Sequence, residues 1–336
     1  MQRTGICTLG NLINDIIHHV RRYPGSGELT NILGEREKFV GGLACNTALV
    51  LSMLDAKLPI MVAGVLGDDS EGAFIRSQFA RHQNIDTSRI IKGSQTAYTV
   101  VINDSETNQR TFFTSCGSGD DFTAEDIDLT HLPARILHAG YILLMAGLDR
   151  EDADYGTGMA RLLSRAKNLG IKTSVDVVSE SGNRFRRLVP PALRYTDYCI
   201  INELEAQQIT GQTLRGADGT LHEENMEQAL KELKAFGVSA WAVIHCPEGA
   251  YGLDETNQFV SLPSLKLPSG YIKGTTGAGD AFCSGVLYGA HEGWSLVDSL
   301  RLGTAGAALS LSAADSYSAV RPAKDCLAFY RDMGGQ

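Results

Sequence analysis

Residues 272–293, IKGTTGAGDAFCSGVLYGAHEG, run a threonine- and glycine-rich turn directly into a helix of small residues beginning near Asp280. No bulky side chain stands in the way, so the amides of Gly277, Ala278 and Gly279 can converge on an anion at the positive end of the helix dipole. A phosphoryl group fits there. Asp280 then lies within reach of the same anion, a costly place for a carboxylate unless it takes a proton from an attacking hydroxyl during transfer. That chemistry makes it a general base. The competing local reading is a tight turn in which Asp280 only caps the helix.

On either side of this turn the chain alternates apolar runs of strand length with segments of helical period. In order these include ICTLGNLI, LACNTALVLSMLDA, IMVAGVLG, EGAFIRSQFARHQ, RILHAGYILLM, GTGMARLLSRAKNLG, IKTSVDVVS, DYCIINE, MEQALKELKAFG and SAWAVIHC. The alternation predicts an α/β fold: a doubly wound, mostly parallel central sheet flanked by helices. Two stretches break the rhythm. Residues 94–115 read as two β-rich runs around a polar turn, and residues 28–40 are strand-like rather than helical. They predict a small β-sheet lid of about residues 15–42 and 94–115, inserted into a core of about 1–14, 43–93 and 116–330 within one domain spanning 1–336.

Three further features carry chemistry. Gly41 and Gly42 open an apolar helix with Asn46 one turn in, and a carboxamide there can both donate to and accept from a polyol. The alternative is close helix-to-sheet packing with Asn46 exposed. Asp15, expected in a loop just beyond the first strand, stands at the carboxyl edge where open α/β sheets place ligands. Asn202 and Glu205 share a helix face if a helix starts there. Oxygen ligands of that kind suit a Mg²⁺ ion riding on phosphates, partly through water. The alternative is a helix N-terminus that favours acids.

Bulk properties narrow the partners. Of 336 residues 43% are hydrophobic and 21% charged, with no apolar run of about 18 residues and no leader-like start, so a cytoplasmic protein without membrane insertion is expected. A net charge of -9 argues against nucleic acid, despite the small Arg184, Arg186 and Arg187 cluster. Seven scattered cysteines without a C-x-x-C pair read as reduced thiols, and the neighbours His18 and His19 do not read as a metal site.

The segments GGLACN, GDDSEG, NELE and GTTGAGDAF, in this order and spacing, resemble the ribokinase-like, PfkB-type carbohydrate kinases from about Ile6 to Pro322. The resemblance implies ATP-dependent phosphorylation of a sugar hydroxyl, with Asp280 as base and the Gly277, Ala278 and Gly279 amides as anion hole. It further implies that Asp15, Gly41, Gly42 and Asn46 contact the sugar, and that Asn202 and Glu205 organise Mg²⁺. Gly249 and Thr275 would approach ATP, and residues near Gly306 would line the adenine pocket. Homodimerisation through the lid is implied as well. Gly274 stands where the family usually has an aspartate that helps form a monovalent-cation site in some members, so potassium activation does not carry over. The segment Asp176-Val177-Val178-Ser179 lacks the usual Pro-Asn, and Cys246-Pro247 replaces a glycine-containing turn beside the nucleotide. A nucleoside kinase of the same fold, stacking a base on Tyr98, Phe112 or Phe113, is one alternative; a sugar-binding or regulatory protein without catalysis is another. No G-x-G-x-x-G follows the first strand, which disfavours a nicotinamide oxidoreductase.

Overall fold

The computed structural model describes residues 3–107, 109–180 and 182–335. Strand β1 (Ile6–Gly10) is buried along its whole length, as a strand covered on both faces must be. The chain then leaves the main sheet for β2 (Ile13–Val20) and β3 (Ile32–Gly41), and returns through α1 (Leu43–Leu54), β4 (Ile60–Leu66), α2 (Ser70–Phe79) and β5 (Ile85–Lys92). A second excursion, β6 (Ala97–Asp104) and β7 (Arg110–Ser115), precedes β8 (Ile136–Ile142). Next come α3 (Gly158–Asn168), β9 (Lys172–Val177), α4 (Phe185–Leu193), β10 (Tyr198–Asn202), α5 (Glu203–Thr210) and α6 (Met226–Ala235). Strands β11 (Trp241–His245), β12 (Gly249–Leu253) and β13 (Phe259–Pro263) lead to α7 (Ala278–Glu292), α8 (Leu296–Ser310) and α9 (Ala323–Asp332).

Nine strands form one sheet in the order β13-β12-β11-β10-β9-β8-β1-β4-β5, parallel except for the last two strands in sequence, which fold back as antiparallel neighbours. Alternate strand residues face opposite cores. Cys7, Leu9, Leu137 and Val175 pack with α3, α4 and α6 on one side; Ile6, Val62 and Ile200 pack with α1, α7 and α8 on the other. The doubly wound sheet is therefore as expected. The small residues of α7 serve its packing: a Cβ on Gly285 would stand 2.6 Å from Gly303 Cα, and one on Gly289 would stand 2.1 Å from Ser299 Oγ of α8. Helix α4, between IKTSVDVVS and DYCIINE where the alternation of apolar runs marks no helix, carries Pro190 and Pro191 inside it, each of which lacks the internal donor.

Four further strands form a separate sheet, β3-β2-β6-β7, with antiparallel outer pairs and a parallel β2–β6 centre. Both excursions depart from the carboxyl ends of parallel strands, β1 and β5, so this lid stands over the carboxyl edge. It begins at Ile13, so Asp15 lies within β2, opposite Phe39 and Thr99, rather than in a loop. Among the described residues no helix is long and apolar enough to cross a membrane, and no group of three or more His, Cys, Asp or Glu is placed to hold a metal. The seven cysteines are free.

Candidate active site

The glycine turn ends with Gly277, which has the left-handed φ of 77° and caps α7 from outside. A Cβ there would also lie 2.2 Å from that of Ser316, so glycine is required twice over. Ala278 and Gly279 open the helix. First-turn amides have no carbonyl partner inside a helix, and that of Ala278 makes only a long 3.4 Å turn bond to Thr275 O.

Asp280, 4% exposed, makes no capping hydrogen bond. Its Oδ1 accepts from the Tyr141 hydroxyl at 2.6 Å and its Oδ2 from Asn46 Nδ2 at 2.8 Å. Ser316 Oγ donates to Asn46 Oδ1 at 2.8 Å, holding the amide the right way round. Burial pushes the Asp280 carboxyl up to about 6, against the pull of these two donors. Three elements meet here because the carboxyl end of β8 and the first turns of α1 and α7 share one edge of the sheet.

Beside Asp280, under the lid, is a small cavity of about 20 Å³ whose lining includes Asp15, Phe39, Arg110, Phe112, Thr276 and Ser316. Gly41 makes room for the Asp15 carboxylate, since a Cβ would lie 2.3 Å from its Oδ2. Gly42 has φ 81°, and its Cβ would strike the carbonyl of Asn11 at 2.2 Å. Burial first, and then the charge of Asp280, push Asp15 up to about 6, while a hydrogen bond from Thr99 opposes them. Arg110 reaches down from β7, and its Nη1 donates to Thr276 Oγ1 at 2.9 Å, linking lid and glycine turn. Next to Asp15 in β2, Asn14 is fully buried and both polar atoms of its amide lack a partner, as does Asn11 Oδ1.

On the other side of the turn opens a cavity of about 940 Å³, lined by Asn202, His245, Cys246, Gly249, Thr275 and Gly279 among others. Thus the turn separates the two cavities. Gly306 itself packs against Ala281 O, while its neighbours Thr304, Ala307 and Ala308 line the large cavity. The His245 ring lies 4.9 Å from that of Phe282, and burial pushes its imidazole down to about 4, which keeps it neutral.

Asn202 and Glu205 form a reciprocal capping box at the start of α5. The Glu205 amide donates to Asn202 Oδ1 at 2.9 Å and the Asn202 amide to Glu205 Oε2 at 2.9 Å. Asn202 lines the large cavity, whereas Glu205 is buried behind it and accepts from Ser179 Oγ at 2.7 Å. Burial raises Glu205 to about 7, and burial together with Glu205 and Asp280 holds Asp176 well above the usual carboxylate range. Asn202 at the cavity wall with these carboxyls behind it is a set of oxygen donors of the kind hard divalent cations prefer, and a bound cation would draw the carboxyls toward their charged form. It fits Mg²⁺ held mainly through phosphates and water rather than by a cage of side chains.

Of the residues singled out in the sequence, the fold brings Asp280, Asn46 and the glycine turn together, with Asp15 and Gly41 under the lid and Asn202, Gly249 and Thr275 around the large cavity. Tyr141, Arg110 and Ser316 were missed. Tyr141 sits in an apolar strand, Arg110 reads as a hairpin-turn charge, and Ser316 lies in an irregular stretch, so none had a local signal.

The architecture is that of the ribokinase-like kinases, an α/β sheet with a small β lid. Residues 3–323 match the model of the pfkB family carbohydrate kinases, and the chain belongs to that family of phosphotransferases. It is 23% identical over 292 residues to the 5-dehydro-2-deoxygluconokinase of Shouchella clausii, covering 84% of this chain and 83% of the relative. The Arabidopsis thaliana ribokinase complexed with ribose and ATP superposes with a TM-score of 0.79 at 19% identity, over 98% of this chain and 99% of that one. A Methanocaldococcus jannaschii nucleoside kinase gives 0.74 at 16% identity, over 99% and 100%.

Proposed function

We propose that the protein transfers the γ-phosphoryl group of ATP to a hydroxyl, primary in kind, of a sugar or sugar-like acceptor, with Asp280 as general base. The supporting observation is the placement of Asp280: buried, free of any capping duty, and directly following a glycine turn whose Thr276 lines a small cavity under the lid while Thr275, Ala278 and Gly279 line a large one. The acceptor hydroxyl gives its proton to Asp280 as its oxygen bonds to phosphorus and the bond from phosphorus to the ADP oxygen breaks. The amides of Gly277, Ala278 and Gly279 hold the charge on the transferred group. Asp15 and Asn46 bind acceptor hydroxyls, with Gly41 and Gly42 keeping the backbone close. Gly249 and Thr275 border the nucleotide, and Asn202 and Glu205 organise Mg²⁺, which when bound neutralises phosphate charge. The lid excludes water and pairs two copies into a homodimer.

A finer reading concerns the acceptor. Arg110 is a basic side chain among the residues lining the small cavity, and the Shouchella clausii relative is named for a sugar acid. Both favour an acceptor that carries a carboxylate.

ADP release from Mg·ATP should therefore be measured against pentoses, hexoses, sugar acids, sugar phosphates and nucleosides, with and without potassium. Turnover with a sugar acid and little potassium dependence is expected, the latter because Gly274 offers no carboxylate. A preference for nucleosides would replace the acceptor assignment. No response to any acceptor would sink the kinase reading.

A further inference from the structure

From the geometry around Asp280 we infer that Tyr141 is a positioning residue of this site: its hydroxyl, with the Asn46 amide, clamps the Asp280 carboxylate from both oxygens and holds it ready as an anion. The inference rests on Asp280 being the base.

Each oxygen of the carboxylate has a single short donor, 2.6 Å from Tyr141 to Oδ1 and 2.8 Å from Asn46 to Oδ2. The donors come from different elements, the end of β8 and the first turn of α1. Two anchors on two oxygens fix the plane of the group, which one hydrogen bond cannot do. The remaining lone pairs then point in set directions, so the acceptor hydroxyl must arrive along one of them for its proton to move. The polarity of the clamp is also set. Ser316 Oγ occupies Asn46 Oδ1, which leaves the NH₂ end for Asp280. Burial and the surrounding acids hold the Tyr141 phenol far above its ordinary pKa, so it stays a donor.

The groups that face Asp280 make such a clamp necessary. Asp15 on β2 and Asp176 on β9 are acids, with Glu205 on α5 a third that acts on Asp176 and Tyr141; Cys45 and Cys283 are buried thiols, and His245, near Gly279, is neutral. Among the described residues, the influences favouring the Asp280 anion are the hydrogen bonds from Tyr141 and Asn46, not a cation. Removing the phenol hydroxyl while keeping the ring should make Asp280 harder to ionise and freer to rotate.

The test is Tyr141→Phe beside Tyr141→3-fluorotyrosine, whose phenol is a stronger donor. For Tyr141→Phe, kcat should fall about tenfold with KM for acceptor and ATP little changed, and the acid limb of the pH profile should rise by about one unit. The fluorinated variant should move that limb the opposite way. A tyrosine that only fills space would not shift the limb in opposite directions. Titration of the Asp280 carboxyl by carbon NMR in the substrate-free protein reads the clamp without turnover. An inactive wild-type protein would thus condemn the kinase reading while leaving this inference to the titration. The fluorinated variant retains ring and hydroxyl and serves if Tyr141→Phe fails to fold. An unchanged Asp280 midpoint in either folded variant would overturn the clamp.

Discussion

As the proposed base, Asp280 must be kept dry to bind a proton usefully and yet be ionised when the acceptor arrives. Burial and hydrogen bonding therefore pull on it in opposite directions. The balance, at about 6, lies near enough to neutrality for a base to accept a proton and lose it again. Replacing Asp280 with Ala should lower kcat by about 10²–10⁴-fold while ATP binding, followed by calorimetry, stays nearly intact. Near-normal turnover would remove the base assignment. Because a base works only when unprotonated, kcat/KM should be level above pH 7 and fall as the pH drops through about 6. The same shift has a stability sign: a carboxyl whose folded pKa is raised favours the fold fully below its ordinary value, and that contribution is lost as pH rises through about 6. Function here opposes stability. Arg110 makes a separate claim. Arg110→Ala should raise KM for a carboxylate-bearing acceptor at least tenfold and leave neutral sugars and ATP almost untouched; equal losses for charged and neutral acceptors would remove its role in choosing them. Asp280 was legible because its turn is a local motif. Tyr141 and Arg110 were not, because their meaning lies in partners 139 and 166 residues away.

At the scale of elements, glycines decide what the site can hold. The last residue of β3, Gly41, leaves space that the Asp15 carboxylate fills, so Gly41→Ala must displace one of them. Acceptor KM should rise several-fold with ATP KM unchanged, and steady-state kinetics with both substrates varied will separate the two. Parallel losses in both constants would mean a general distortion instead. At the head of α5, Asn202 and Glu205 were read as either a metal pair or a helix start, and they have the geometry of a start, a capping box. The two readings remain compatible, since a box pins Asn202 at the wall of the large cavity. The strand β2 was read differently from the sequence: ICTLGNLI looked like one strand, but Asn11 and Leu12 break it after Gly10, and Ile13 opens the strand that pairs in the lid. Apolar content alone cannot tell which sheet a strand joins.

For the whole molecule, the lid is the least covered part. Ile32, Leu33, Phe112 and Phe113 expose between 44% and 58% of their surface on its two outer strands, β3 and β7. If two lids pair, Phe113→Asp should turn a dimer into a monomer in light scattering without loss of secondary structure; a wild-type protein that is monomeric at every concentration would discard the pairing. The periodicity of apolar runs was enough to define the doubly wound sheet and the inserted lid, because strand and helix preferences act over a few neighbouring residues. Only the tertiary structure decided that Asp280 holds no cap, that Tyr141 and Asn46 share its carboxylate, that Glu205 is withdrawn behind Asn202, and that Arg110 spans lid and turn. Those contacts depend on strand order and on which helix first turns share the carboxyl edge, and such distances are set by the packing of the complete sheet rather than by any local stretch of chain.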